Sequence, residues 1–186
     1  MKIVGVAGSL RKASYNAGLL RAAAETAPAG CSVQIETIRG IPLYDADLEA
    51  SEGVPQAVAE LKDRIAAADG LLLATPEYNN SIPGVFKNAV DWLTRPPEDR
   101  FRVFKERPVG VMGATPGNFG TAFSQYAWLP TLRVLGAQVW SGAMMWVSGA
   151  ESKFDDSGNL VDEKTRAAVA RYMTGFADFV RNRRNR

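Results

Sequence analysis

Histidine is absent from all 186 residues. The commonest side chain for general-base catalysis, proton shuttling and metal ligation near neutral pH is therefore missing, and chemistry must rest on other groups or on a bound cofactor. Cys31 is the single cysteine, which excludes an intrachain disulfide and a cysteine-rich zinc site and fits a reducing compartment. It stands just before an expected strand, where a small buried hydrophobe is the simplest role. No apolar run approaches the roughly 18 residues that a membrane-spanning helix needs. The opening MKIVGVAG enters a strand without the charged, apolar and small-residue succession of a secretory signal. A soluble, cytoplasmic protein without membrane insertion is expected. No Pro/Gly/Ser-rich linker divides the chain, so residues 1–186 should form one domain. Charge is nearly balanced: the formal net charge is +2, the tail arginines Arg181, Arg183, Arg184 and Arg186 supply four positive charges, and the remainder is −2. No aromatic residue is interleaved with those arginines, so the tail at 181–186 reads as a solvated helix end, and no nucleic-acid partner is expected.

What is present is a repeated strand, loop and helix. Ile3 to Ala7 is an apolar run ending at Gly8, followed by SLRKASYN and a helical pattern through Leu20, Ala23, Ala24 and Ala27. Val33 to Ile38 alternates polar and apolar residues, as an edge strand does. A loop rich in turn formers follows, and Pro55 opens a helix with Val58, Leu61 and Ile65 at helical spacing. Leu71 to Ala74 is continuously apolar, the mark of a strand covered on both faces. Beyond the polar stretch Thr75 to Ser81, Ser81 and Pro83 give a helix start. Phe86, Ala89, Val90 and Leu93 then form one stripe, with Lys87 and Asp91 paired at i,i+4.

Arg95 to Pro108 is too polar and proline-broken for a core element, and with Phe101, Val103 and Phe104 it should cross the surface or meet a partner chain. Val109 to Ala114 is a further strand, and the helical segment after it, through Leu135, should be kinked or interrupted at Pro130. Val139 to Val147 supplies the last strand region, bent near Gly142. A final helix carries Val169, Tyr172, Met173, Phe176 and Val180. Segment 155–160 is not a calcium loop, because with Asp155 as first ligand the sixth position needs glycine and holds Leu160; it reads as a surface turn. Five strands alternating with helices predict an α/β three-layer sandwich with a parallel sheet of order 2-1-3-4-5, the flavodoxin-like arrangement.

In such a sheet, ligands bind beyond the carboxyl ends of the strands where the order reverses. The loops that converge there, 8–16, 75–81 and 113–120, are also the three most unusual in the chain. The first lacks the glycine-lysine-hydroxyl ending of a Walker loop, and GVAGSL is not GxGxxG. It offers a tight turn, two hydroxyls, Arg11 and an amide at a helix start, which suit a phosphate monoester; helix capping by Ser14 or Asn16 with a solvated Arg11 is the competing reading. The second loop has no basic residue, and its main-chain groups with Pro76, Tyr78 and Asn79 suit the edge of a flat heteroaromatic ring. The third has three glycines that permit close backbone approach.

Taken together, GSLRKASYN, PEYNNSIPGVFKNAVDWLTR and GATPGNFGTAFSQ resemble, in order and spacing, the signature stretches of the NADPH-dependent FMN reductase family, in its branch of flavodoxin-like bacterial quinone and chromate reductases. The likeness covers most of the chain, including FDDSGNLVDEKTR. It implies that Ser9, Arg11, Ser14 and Asn16 hold the FMN phosphate. It further implies that Pro76, Glu77, Tyr78, Asn79 and Ser81 line the isoalloxazine and ribityl region, and that Gly113, Thr115 and Gly117 lie against the flavin's other side. No dedicated catalytic residue and no metal are implied. The implied activity is FMN-dependent two-electron reduction of quinones, chromate, azo compounds or free flavin with NADPH or NADH as donor, in a homodimer or homotetramer. A flavodoxin-type electron carrier is the alternative, although its usual acidity is missing here. After Gly120, where relatives more often carry arginine-alanine-glutamine, this chain reads Phe123-Ser124-Gln125.

Overall fold

The computed structural model describes residues 1–184. Strand β1 (Lys2–Ala7) leads to helix α1 (Tyr15–Glu25), β2 (Ser32–Thr37), α2 (Ala46–Glu52), α3 (Gln56–Ala66) and β3 (Gly70–Ala74). Then follow α4 (Gly84–Leu93), α5 (Asp99–Phe104), β4 (Pro108–Ala114), α6 (Ala122–Val134), β5 (Gln138–Val139), β6 (Met145–Val147) and α7 (Glu163–Arg184). All strand pairs are parallel and the order is β2-β1-β3-β4-β5, with β6 also paired to β4.

Alternation along the buried strands divides the core into two layers. Ile3, Leu72, Ala74 and Met112 face α1 and α7, where Leu19, Leu20, Val169 and Phe176 close the layer. Val4, Val6, Leu71, Leu73 and Val109 face the opposite helices through Val58, Leu61, Phe86, Val90 and Trp128. Buried strands covered on both faces therefore read as unbroken apolar runs, whereas edge strand β2 has no fully buried residue.

Several local expectations change. Helix α4 follows Pro83, which stands at the cap position without a side-chain hydrogen bond, and Ser81 instead bridges back to Tyr78. The turn-rich loop contains α2, started by the Asp45 carboxylate on the Asp47 amide. It buries none of its residues, so it lacks the apolar stripe by which a helix is recognised. Segment 95–108 contributes to the core: α5 buries Val103 and Phe104 completely, while its third large apolar residue, Phe101, stays exposed. Pro130 does not break α6; it and Tyr126, whose carbonyl loses its helical donor, are both exposed. Segment 155–160 is the expected turn, closed by the Phe154–Leu160 bridge. Helix α7 extends to Arg184, with Arg181 on Asp178 and Arg183 over the Phe179 ring; Asn185 and Arg186 of the tail lie outside the described residues.

The last strand is divided. Trp140 N–H donates to the Val109 carbonyl and Thr115 N–H to the Val147 carbonyl, so Val109 in β4 and Thr115 just past its end direct their backbone groups toward β5 and β6. Val111, between them, faces the interruption. The buried Tyr172 hydroxyl donates to its carbonyl at 2.9 Å and substitutes for the absent strand. Burial pushes the Tyr172 phenol well above its ordinary titration range.

A buried cation was not evident from the sequence. Lys62, only 3% exposed, donates to the Arg95 carbonyl at 2.6 Å and to Asp99 Oδ2 at 2.5 Å, joining α3 to α5. Arg102 and then Lys62 hold the Asp99 carboxyl below its usual range. Lys62→Met should lower stability by about 1.5–3 kcal/mol, the loss of a charge-assisted contact, as read from urea denaturation at neutral pH. A depressed carboxylate stabilises the fold above its unfolded pKa and loses that contribution as pH falls through its folded value. The deficit of the variant should therefore shrink below about pH 4.

Candidate cofactor-binding cleft

The three unusual loops meet beyond the carboxyl ends of β1, β3 and β4. Ser9, Arg11, Ser14, Tyr15, Asn16, Pro76, Glu77, Tyr78, Ala114, Thr115 and Pro116 line one cleft of about 140 Å³. Eight of the twelve expected residues are therefore gathered there. Tyr15, Ala114 and Pro116 were not anticipated, although each adjoins or lies within a loop that the sequence marks.

The first loop starts where Gly8 N–H extends the ladder to the Ala74 carbonyl at 2.9 Å. Only glycine fits, because a Cβ would lie 2.1 Å from the Phe86 ring. Ser14 caps α1 by accepting from Ala17 N–H at 3.3 Å, and Ser9 Oγ accepts from Arg11 N–H at 3.2 Å. The exposed Arg11 guanidinium lies 5.0 Å from the Tyr15 ring centroid and has no hydrogen-bonded or ion-paired partner among the described residues. Leu10, Lys12, Ala13 and Ser14 likewise have no protein acceptor for their amides among the described residues. These donors, at a helix N-terminus with a free guanidinium beside them, can hold an anion.

Asn16 has a different task from its neighbours. Its carboxamide is buried, with Nδ2 donating to the Ala114 carbonyl at 2.9 Å and Oδ1 accepting from Ala114 N–H at 3.0 Å. Ala114 is the last residue of β4 and extends past the end of β3, so Asn16 takes the place of the strand that has ended.

The second loop is fixed from beneath. Trp128 Nε1 donates to Thr75 Oγ1 at 3.1 Å, Thr75 donates to the Pro76 carbonyl at 2.9 Å, and Ser124 Oγ lies 2.9 Å from the same hydroxyl. With one hydrogen on Thr75 already used, Ser124 is the donor in that contact. Glu77, the sole acid lining the cleft, accepts from Ser124 N–H at 3.0 Å in the first turn of α6, where the helix dipole favours a carboxylate. Tyr78 and Ser81 exchange backbone hydrogen bonds at 3.2 and 3.0 Å around Asn79 and Asn80, both with positive φ. Two such residues in succession define a type I′ turn, so Asn79 shapes the rim and does not line the cleft. Asn80 was overlooked, and the Asn-Asn pair is the signal that marks it.

In the third loop, Thr115 N–H donates to the Val147 carbonyl and its own carbonyl accepts from Ala150 N–H. Gly113 sits behind the cleft: a Cβ there would meet Thr121 Oγ1 at 2.1 Å and the Thr75 carbonyl at 2.3 Å. Its smallness lets β4 approach these groups. At Gly117 a Cβ would meet only the Thr115 side chain, at 3.8 Å, an ordinary van der Waals contact. Ser124, one of the two departures after Gly120, and the shared Gln125 are both structural. Gln125 Nε2 donates to Thr121 Oγ1 and the Met145 carbonyl, each at 3.0 Å, and its Oε1 accepts from Trp146 Nε1 at 3.2 Å. Among the described residues no cluster of His, Cys, Asp or Glu could hold a metal ion.

The chain as a whole is similar to known proteins. Residues 1–151 match the family model described as NADPH-dependent FMN reductase. An NAD(P)H-dependent FMN reductase of Pseudomonas aeruginosa is 41% identical over 184 residues, covering 99% of this chain and 97% of that protein. A 2-hydroxy-1,4-benzoquinone reductase of a Burkholderia species is 39% identical over 184 residues, covering 99% and 98%. In structure, the flavoenzyme NAD(P)H:(acceptor) oxidoreductase FerB from Paracoccus denitrificans superposes with a TM-score of 0.85 at 32% identity, covering 98% of each chain. With the sheet order, the converging loops and these relatives in agreement, the chain belongs to the NADPH-dependent FMN reductase family.

Proposed function

We propose that the cleft binds FMN and that the protein is an NAD(P)H-dependent oxidoreductase delivering two electrons to quinones, with chromate, azo compounds and free flavin as further acceptors. The observation that carries this reading is the convergence of an anion-holding helix start, a rigid ring-edge loop and a close-approach loop in one cleft. Relatives named for FMN and quinone reduction support it.

The residues fit the cofactor. Unengaged amides at the start of α1 and the free Arg11 guanidinium match a phosphate monoester. A volume of about 140 Å³ is well below the roughly 300 Å³ or more of a pocket that engulfs its ligand. A flavin would therefore lie along the mouth with one face open. Bound FMN supplies the hydride and electron chemistry, which explains how a chain without histidine can be a redox enzyme. Ser9, Arg11 and the loop amides would hold the phosphate. Ser14 and Asn16 support them from within, Ser14 as cap and Asn16 as the link to Ala114. Pro76, Glu77 and Tyr78 would border the ring, with the Asn79 and Ser81 turn fixing the position of Tyr78. Thr115 and Gly117 would flank the opposite side, and Gly113 gives β4 its approach. Nicotinamide donor and acceptor would then use the same open face in turn.

We also infer a homo-oligomer, dimer or tetramer, formed on the face of α6 and the β5–β6 connection. Tyr126, Leu129, Met144 and Trp146 are 40–54% exposed there and line one apolar hollow with Val139 and Trp140. Light scattering should give a multiple of 20.1 kDa, reduced by Leu129→Asp; a monomeric wild type would refute it.

Under anaerobic conditions, NADH or NADPH should bleach the FMN absorbance of the purified protein, and a benzoquinone should restore it. Failure to take up FMN defeats the whole reading, and bound FMN that neither nicotinamide bleaches leaves only an electron carrier. Arg11→Ala should weaken FMN binding by about 1.5–3 kcal/mol in a fluorescence titration while leaving the melting temperature of the flavin-free protein unchanged. Asn16→Ala should do the reverse first: two buried groups of Ala114 lose their partners, at about 1–3 kcal/mol each, so the flavin-free protein itself should melt earlier.

A further inference from the structure

An exposed aromatic pair stands at the entry to α6, next to the ring-edge loop. Phe119 and Phe123 meet edge to face, with ring centroids 5.1 Å apart and planes at 65°, yet they remain 62% and 42% exposed. Two contacts fix the pair at the mouth of the cleft. Phe119 follows the cleft-lining Pro116 in the third loop, and its carbonyl accepts from Ala122 N–H at 3.0 Å, which closes that loop onto α6. Phe123 directly precedes Ser124, whose N–H holds the Glu77 carboxylate at 3.0 Å, and Glu77 directly precedes the half-exposed Tyr78. One hydrogen bond therefore draws together two stretches that carry exposed aromatic rings.

Neither phenylalanine closes the core. Trp128 and Leu132 bury the inner side of α6, whereas Phe123 stands on its outer side. Most of the apolar surface of the pair stays in water, so folding gains little from it, and an edge-to-face pair leaves ring faces free to stack on a third ring. The surrounding charge suits an uncharged ligand. From Gly113 to Leu132 the chain has no charged side chain, and the sole acid of the cleft, Glu77, lies beside the pair. Arg11, the cleft's free cation, stands at the start of α1, on the phosphate side. Phe123 also occupies the position where relatives more often carry arginine. An oxyanion such as chromate thus finds a carboxylate and no cation at this end of the cleft, while a flat apolar molecule finds aromatic surface.

We propose that Phe119 and Phe123 determine specificity for the electron acceptor. They pack against the second ring of a fused-ring quinone of the naphthoquinone class while its quinone ring lies on the open face of the flavin, and they favour that class over single-ring quinones and chromate. The inference rests on the reductase reading above. In the overall exchange NAD(P)H gives up a hydride, solvent supplies a proton, and the quinone leaves as the hydroquinone with two electrons and two protons gained; the pair contributes binding and orientation only. A second copy of the chain has a better seat elsewhere on α6, in the apolar hollow lined by Tyr126 and Leu129 and by neither phenylalanine.

The test is steady-state kcat/KM of the full-length, FMN-loaded protein for unsubstituted para-naphthoquinone and para-benzoquinone. The two differ in intrinsic reactivity, but that factor is common to wild type and variants, so the change in their ratio reports the contact. Phe119→Ala and Phe123→Ala should each lower the naphthoquinone-to-benzoquinone ratio about fivefold, the worth of one ring contact, mainly through KM. Phe123→Arg should lower it similarly and raise kcat/KM for chromate by roughly threefold, as a cation near the path of a dianion should. A ratio that moves by less than about twofold in every variant, or two quinones slowed in equal proportion, would overturn the proposal and leave the reductase reading standing. A lower ratio accompanied by loss of the oligomer in light scattering would assign the pair to a subunit contact and overturn it as well. Wild-type protein that binds FMN yet passes electrons from neither nicotinamide to either quinone overturns both.

Discussion

A parallel sheet has strands that end at different heights, and the last residues of the longer strands need partners for their backbone groups. Here the critical case is Ala114, whose N–H and carbonyl are both taken by the Asn16 carboxamide. That exchange joins the first turn of α1 to the end of β4 and brings the first and third loops to a common edge. Thr75 serves the middle loop comparably, collecting Trp128, Ser124 and the Pro76 carbonyl around one hydroxyl. The cleft is therefore positioned by polar side chains that stand in for missing strand, and its own donors remain available.

Much of the architecture could be read directly. The continuous apolar runs at 3–7, 71–74 and 109–114 predicted buried parallel strands because a strand covered on both faces has no polar side to display. The alternation in 33–38 identified the edge. What escaped had a physical reason each time. Helix α2 buries nothing completely, so periodicity was absent. In α5, two adjacent core residues, Val103 and Phe104, sit among arginines and acids whose charges are paired with one another and with Lys62 and Asp63, and composition alone therefore suggested surface. The final strand read as one segment because apolar content persists through the interruption.

The site was legible at the level of loops, less so at the level of atoms. Arg11, Ser9, Tyr78 and Thr115 stand where the loop positions implied. Asn16 and Gly113 serve the site through tertiary contacts, and neither contact leaves a trace in local sequence: one is made across 98 positions, the other is a steric requirement imposed by Thr121 and Thr75. Ser81 resembled a cap because serine before proline commonly is one. The adjacent Asn79-Asn80 pair makes the turn that claims it.

The divided strand has a consequence for how the fold can vary. Because β5 and β6 each bond to β4 independently, and Tyr172 covers the gap between them, the register of β6 does not depend on the number of residues in 140–144. That connection can lengthen or shorten without shifting Thr115, whose hydrogen bonds to Val147 and Ala150 are set downstream of the gap. The interruption uncouples the geometry of the cleft from the length of the segment that leads to it.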